Sequence, residues 1–315
     1  MIPSFHSGFA DDISAMMKWR GTIGYAEYCY SYHLADFDKY CQQKFPDSSI
    51  LTWEIAISYL NSIKAHRDVR VDVIALRNLG KYQTKKGLMA CIFPYSFFTY
   101  KKRRLPYIMT DDELSSFFSA TDNYPCTGHN PLLTYTVATI FRLQYSTGMR
   151  PTEVRLLKRE DFDFKSNTIY IADSKMHKDR RIVVNPLVMD MCKNYDVLAR
   201  CIYPNTDVFF PNSHNKAYTS QSLADFFHKC WKVAGNPVVS SDRIYCSPYI
   251  LRHNYATRKI MQWMEEGKDF EIFMPYLSTY MGHQTFSETC YYLHLLPERL
   301  SMTGCMDISK ILSEV

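Results

Sequence analysis

Arg150 stands directly before a proline in the run Ser146-Thr147-Gly148-Met149-Arg150-Pro151-Thr152-Glu153. Proline suits the first position of a helix and holds the residue before it extended. The guanidinium is therefore expected at a helix amino terminus, where backbone amides also favour an anion. A second arginine, Arg252, lies in Ser247-Pro248-Tyr249-Ile250-Leu251-Arg252-His253-Asn254. Tyr249 precedes it by three residues and shares its helix face. Lys175 occupies the polar turn Asp173-Ser174-Lys175-Met176-His177-Lys178-Asp179-Arg180-Arg181. A lysine on such a turn can reach into a cleft and deliver a proton. Met281-Gly282-His283 contributes an imidazole, and beyond it Phe286, Cys290 and Leu293 form an apolar stripe that Tyr292 falls off. Together these residues offer anion binding and proton transfer. Taken singly, each also fits a bland reading: a surface arginine, a surface hairpin lysine, or one structural tyrosine among 24.

The elements that must position them divide into two groups. Apolar residues recur at helical spacing in four early segments, 25–41, 52–63, 71–82 and 88–98, with Ile55, Tyr59 and Ile63 as one stripe. Pro46, Asp68 and Gly87 punctuate them. The unbroken basic run Lys101-Lys102-Arg103-Arg104 leads to Pro106 and reads as a short linker. Thr110-Asp111-Asp112-Glu113 has the pattern in which threonine and glutamate side chains satisfy orphan amides at a helix start. A second domain thus begins close by, giving domains 1–104 and 105–315. It contains an apolar helix over 132–144, β-rich runs at 168–172 and 181–184 forming a hairpin, and helices near 186–199, 220–233, 248–263, 271–281 and 285–295. Thr285 and Glu288 again have capping-box spacing. The expected fold is mainly α with a small antiparallel β-sheet in the second domain.

The 315 residues suit two domains, and a hydrophobic content of 46% is enough for real cores. No apolar run reaches the roughly 20 residues that span a bilayer. The start, Met-Ile-Pro-Ser-Phe-His, lacks the apolar region of a secretory signal, so a cytoplasmic location is expected. Ten cysteines stand singly with no C-x-x-C pair, which argues against zinc ribbons and redox motifs and for reduced thiols. Neither a Walker loop nor a dinucleotide fingerprint occurs. No metal and no cofactor are expected. A net charge of +5 is compatible with nucleic acid, and the clustering at Lys101–Arg104 is equally a phosphate-contacting run or a solvated face.

Taken jointly, the chemical stretches resemble the signature of the tyrosine recombinases, the phage-integrase family. That family pairs T-G-x-R with a hairpin lysine, then H-x-L-R-H, L-G-H, and a tyrosine nine residues beyond that histidine. Here Arg150 matches the first arginine, Lys175 the hairpin lysine 25 residues on, Arg252 the second arginine, and His283 the L-G-H histidine in the form Met281-Gly282-His283. Nine residues further stands Tyr292. The resemblance covers nearly the whole chain, with its specificity between Thr147 and Tyr292. It departs at Tyr249, where the family usually has histidine. A phenol can donate to a phosphate oxygen but, with a reference pKa of about 10, is a poor general base at neutral pH.

The resemblance implies a helical core-binding domain and a catalytic domain that clamp double-stranded DNA, acting as a homotetramer with possible accessory proteins and no membrane. It implies that Tyr292 attacks a phosphodiester to give a 3′-phosphotyrosyl enzyme and a free 5′-hydroxyl. Arg150, Arg252 and His283 would hold the non-bridging oxygens, Lys175 would protonate the leaving oxygen, and Glu153 would orient Arg150. The cationic surroundings are expected to ease ionisation of Tyr292. Lys101, Lys102, Arg103 and Arg104 would touch phosphates, and a short helix at 307–312 would dock on a neighbouring subunit. Two rival outcomes share the motifs: relaxation of supercoils in the manner of a type IB topoisomerase, and a DNA-binding accessory protein with a decayed site.

Overall fold

A computed structural model describes residues 3–24, 30–98, 105–126, 130–172, 179–236 and 244–296. Contacts divide the chain into two compact units, Met1–Lys101 and Lys102–Val315. Lys101–Arg104, Lys175 and the 307–312 segment lie outside the described residues.

In the first unit four helices, α1 (Ala10–Thr22), α2 (Ser31–Lys44), α3 (Trp53–Ile63) and α4 (Arg70–Lys85), enclose one core. Phe9, Phe37 and Tyr59 run through it edge to face, with centroids 5.2 and 5.3 Å apart. Helix α1 lies outside the four expected segments, although Phe9, Ile13, Met16 and Met17 have helical spacing and are all buried. The helix expected over 88–98 does not form; only a 3₁₀ turn at Tyr95–Phe97 appears there. Pro94 disfavours helix in the residue before it. The strand-like path is then fixed by Cys91 N donating to Leu51 O at 2.7 Å and by Arg77 donating to the carbonyls of Phe93 and Pro94.

The second unit opens with β1 (Leu105–Pro106), followed by α5 (Asp111–Asp122), α6 (Leu133–Thr147) and α7 (Pro151–Leu156). The Thr110–Glu113 capping box is formed in both directions. A three-stranded antiparallel sheet follows: β2 (Phe162–Asp163), β3 (Thr168–Ile171) and β4 (Arg180–Val183), with Ile171 opposite Arg180. Strand β2 is the one member that alternation does not announce. Its two residues are too few to carry a period. Helices α8 (Pro186–Ile202) and α9 (Ser220–Val233) come next. Then β5 (Ile244–Tyr245) pairs in parallel with β1 and leads into α10 (Tyr249–Glu265), α11 (Phe270–Met281) and α12 (Phe286–Cys290), the last continued by a 3₁₀ turn, Tyr291–Leu295. The central helix α6 packs on α5, α8 and α10 through Val137, Ile140, Phe141 and Leu143, all essentially inaccessible. The fold is mainly helical with a small antiparallel sheet, as expected.

Candidate active site

Four helix ends and one strand meet at a single place. Helix α6 stops at Gly148, whose φ of 62° is left-handed. A Cβ there would also stand 2.5 Å from the Tyr255 ring, so only glycine fits. The chain then turns through extended Arg150 into α7, with Pro151 in its first turn. Arg150 N donates to Glu153 Oε2 at 2.8 Å and Arg150 Nη1 to Glu153 Oε1 at 2.7 Å. Glu153 is buried and also receives Arg180, from the start of β4, through Nη1 to Oε1 (3.0 Å) and Nη2 to Oε2 (2.9 Å). Burial alone would push this carboxyl up, but Arg180 and Arg150 outweigh it and hold it at about 2.

The end of α11 is where the arginines converge. Its last carbonyls have no partner within the helix, and three guanidinium groups take one each. Arg180 Nε donates to Tyr280 O at 2.9 Å, Arg252 Nη2 to Met281 O at 2.8 Å, and Arg150 Nη2 to Gly282 O at 2.9 Å. The negative end of the helix dipole favours cations there. Gly282 is left-handed at φ 66°, and a Cβ on it would meet Arg180 Nη1 at 2.8 Å.

Arg252, in the first turn of α10, is completely buried. A second hydrogen bond runs from Nη1 to Gly148 O at 2.6 Å, and its Nε meets no acceptor among the described residues. No carboxylate pairs with it among the described residues. Burial therefore pushes it below its ordinary value. Burying a cation without an ionic partner costs on the order of several kcal/mol, so the site is built with a cationic excess that an anion would relieve.

His283 follows Gly282 directly. Its Nδ1 shares a 2.7 Å hydrogen bond with the buried Thr289 hydroxyl. Burial, then Arg252, Arg150 and Arg180, pushes its pKa down to about 3, so the ring is neutral. Tyr292 lies in the 3₁₀ turn after α12 and is only 3% exposed, packed with Ala256, Ile260, Met281 and Leu295. Its ring lies 5.4 Å from that of His253 and 5.8 Å from that of His283. Burial pushes the phenol up to about 12; the neighbouring Arg252 charge lowers it but does not prevail, and Tyr249 raises it further. The arginines do favour the phenolate, as expected, but desolvation of the buried phenol exceeds their attraction and the net shift is upward.

Tyr249 is half-buried in the first turn of α10. Burial lowers Arg150, but Glu153 and a hydrogen-bonded Tyr249 phenol leave that guanidinium above its ordinary value. His253 is buried behind Tyr249, with Nε2 sharing a 2.6 Å hydrogen bond with Tyr245. The structure thus brings Arg150, Glu153, Tyr249, Arg252, His283 and Tyr292 together. Arg180 and Thr289 belong to the same cluster, and sequence reasoning does not single them out. In the sequence Arg180 is one member of a basic run, whereas its ion pair is a signal only the fold supplies.

Two local expectations fail at α12. Phe286 is half exposed and Tyr292 is buried, the reverse of the expectation at those two positions; the tightening to 3₁₀ from Tyr291 onward rotates Tyr292 relative to an α-helical path. Thr285 caps no amide with its hydroxyl, which instead meets Ser287, while Glu288 accepts from Gln284 N.

A sequence model of the phage integrase family matches residues 108–299, the segment that contains every residue just described. The chain belongs to that family, the tyrosine recombinases. An integrase/recombinase by designation, y4rE of Sinorhizobium fredii, is 28% identical over 66% of this chain and 63% of its own length. The tyrosine recombinase XerD of Lacticaseibacillus casei is 25% identical over 94% of this chain and 96% of its own. Among solved structures, the XerH site-specific recombinase in a post-cleavage complex with its palindromic difH substrate superposes with a TM-score of 0.61. It is 19% identical, over 88% of this chain and 78% of that one, a likeness of fold. Among the described residues no helix is long and apolar enough to cross a membrane.

Proposed function

We propose that this protein is a site-specific DNA recombinase that cleaves and rejoins DNA through a 3′-phosphotyrosyl intermediate on Tyr292. The observation that carries the reading is the buried, carboxylate-free Arg252 beside Arg150, His283 and the Tyr292 phenol. Attack on a phosphodiester adds negative charge to the non-bridging oxygens, and preorganised donors aimed at that charge are worth on the order of 3 kcal/mol each. Arg150 and Arg252 each spend part of a planar fork on backbone carbonyls, which fixes their remaining N–H groups for an incoming phosphate. The neutral His283 supplies a third donor, and Tyr249 a hydroxyl in place of the family's usual histidine.

The Tyr292 oxygen forms a bond to phosphorus as the bond to the 5′-oxygen breaks. With its pKa at about 12 the phenol is protonated beforehand, so its proton is given up to solvent as the oxygen attacks. Lys175 is the assigned acid for the leaving oxygen. The phosphotyrosyl link conserves the ester, so rejoining by a 5′-hydroxyl needs neither ATP nor metal. Exchange between two duplexes involves four strands and each chain offers one nucleophile, so the assembly is a tetramer on DNA in the cytoplasm. The first unit is the core-binding domain, and Lys101–Arg104 contact phosphates without reading sequence.

A duplex nicked beside the cleavage position, so that the short 5′-hydroxyl fragment diffuses away, tests this directly. Wild type and Tyr291→Phe should accumulate a covalent adduct, and Tyr292→Phe should bind the same DNA without forming one. An adduct that survives Tyr292→Phe but disappears in Tyr291→Phe would reassign the nucleophile. Absence of any adduct with wild type would leave the accessory-protein reading.

A further inference from the structure

The sequence places Arg180 in a basic run on a hairpin, where it has the look of a DNA contact. Its side chain does something else. It is about 10% exposed and spends its donors on protein: both terminal nitrogens on the two oxygens of Glu153, and Nε on Tyr280 O. Its guanidinium is seated against the backbone of Gly282, where a Cβ would lie 2.8 Å from Nη1 and 3.0 Å from Cζ. The glycine of Met281-Gly282-His283 therefore makes room for this arginine, besides adopting φ 66°.

We propose that Arg180 is a positioning residue for the reaction, acting through Glu153 on Arg150. The proposal rests on the reading of Tyr292 and Arg150 given above. One carboxylate serves two guanidinium groups: each Glu153 oxygen accepts from Arg180, and each also accepts from Arg150, once from Nη1 and once from the backbone N. This bidentate pairing leaves Glu153 no rotameric freedom and fixes the plane of the Arg150 fork. A second effect is electrostatic. Without Arg180 the carboxylate would be balanced by Arg150 alone, and the positive charge that Arg150 presents to a phosphate would be largely cancelled. With Arg180 present, the triad keeps a net positive charge although its carboxylate is ionised. The third link, to Tyr280 O, ties this triad to the turn that precedes His283, so β4, α7 and the end of α11 hold one another in register.

The charged and titratable groups that face Glu153 are Arg150 on its own helix cap, Arg180 from β4 and Arg252 from α10, with His283 kept neutral nearby. Removing Arg180 removes the largest influence that holds the carboxylate ionised. The Glu153 pKa should then climb toward the range in which cleavage is assayed. The wild-type protein, with this group at about 2, should show no such titration.

The test is single-turnover cleavage of the nicked duplex by Arg180→Met, Arg180→Lys, Glu153→Gln and the double variant Arg180→Met/Glu153→Gln, from about pH 5 to pH 8, with DNA affinity measured in parallel. Arg180→Met should bind DNA like wild type and cleave ~10–100-fold more slowly at neutral pH, the range typical for partners that orient an active group. Its rate should fall further on the acid side, and that extra limb should vanish in the double variant. Arg180→Lys keeps the charge but cannot reach both Glu153 oxygens and Tyr280 O together. It should be slowed without acquiring the acid limb, and it decides the question if Arg180→Met does not fold. Wild-type cleavage by Arg180→Lys and Arg180→Met overturns the proposal. So does a slowing by the same factor at every pH that the double variant leaves unchanged, because a purely structural role predicts that pattern. If the wild-type chain itself forms no adduct, the reading of the site has failed rather than the role of Arg180.

Discussion

The His283 imidazole lies against the Tyr292 phenol, ring centroids 5.8 Å apart and planes inclined by 25°. The same burial drives both toward neutrality, His283 down to about 3 and Tyr292 up to about 12. The unfolded chain gives histidine its ordinary value near 6.5, so as pH falls through that value the unfolded state takes up a proton that the folded state refuses. Stability should therefore fall progressively from about pH 6.5 down to His283's folded value near 3. Glu153, depressed to about 2, adds a loss of the same sign once pH drops below its unfolded value near 4.5. Thermal unfolding of wild type should thus show a lower Tm at about pH 5 than at pH 7, and His283→Gln should reduce that difference. Equal pH dependence in the two proteins would mean that His283 is protonated in the fold.

Thr289 is fully buried, and its hydroxyl meets only the Nδ1 of His283 among the described residues, at 2.7 Å. If the hydroxyl donates, the ring proton resides on Nε2, the nitrogen left to meet a phosphate. Thr289→Val keeps the volume and removes the hydroxyl. Cleavage should slow ~10–100-fold with DNA affinity preserved, as for other groups that orient a reacting side chain. A wild-type cleavage rate in Thr289→Val would show that the ring orientation is set elsewhere.

Arg252 couples Gly148 O and Met281 O through one planar group, which on the proposed reading also meets the phosphate. Lysine carries the charge at a point and cannot make both carbonyl bonds. Arg252→Lys should be nearly as inactive in cleavage as Arg252→Met. Replacing this buried charge, which has no carboxylate partner among the described residues, by an apolar side chain of similar length removes its desolvation cost. Arg252→Met should accordingly raise the Tm of the DNA-free protein while abolishing adduct formation. A lowered Tm would mean that the two carbonyl bonds outweigh the desolvation of the guanidinium.

Much of this is legible in the residues because local rules and the site agree. Pro151 and the Thr110–Glu113 box announce helix starts, and the alternation at 168–171 announces a strand. The illegible parts are those that depend on distant partners. Arg180 and Glu153 are 27 residues apart, and nothing local distinguishes an arginine that will be buried beside a carboxylate from one in solvent. The sign of the Tyr292 shift escapes the sequence because charges can be counted along a chain whereas desolvation requires the packed fold. The segment 88–98 misleads because its backbone groups bond to the distant Leu51 carbonyl and Arg77 guanidinium rather than to one another in helical turns.

Gly148 separates two costs that glycine substitutions usually mix. Its φ is 62°, and a Cβ would stand 2.5 Å from Tyr255 Cδ1 and 3.0 Å from Cε1, on a ring stacked against Tyr280. Gly267 has nearly the same backbone, φ 64°, with nothing within 4 Å of a Cβ. Gly267→Ala should therefore cost only the left-handed backbone, about 1–2 kcal/mol. Gly148→Ala should cost that and a further ~1–3 kcal/mol of overpacking, because the Tyr255 ring cannot retreat without disturbing Tyr280. It should also lose cleavage disproportionately, since Gly148 O holds Arg252 Nη1 at 2.6 Å and any shift of this turn moves the fork. Denaturant unfolding of the two variants, read beside adduct formation, checks both parts. Equal destabilisation would show that the ring gives way freely, and normal cleavage by Gly148→Ala would show that the Arg252 fork does not depend on this carbonyl.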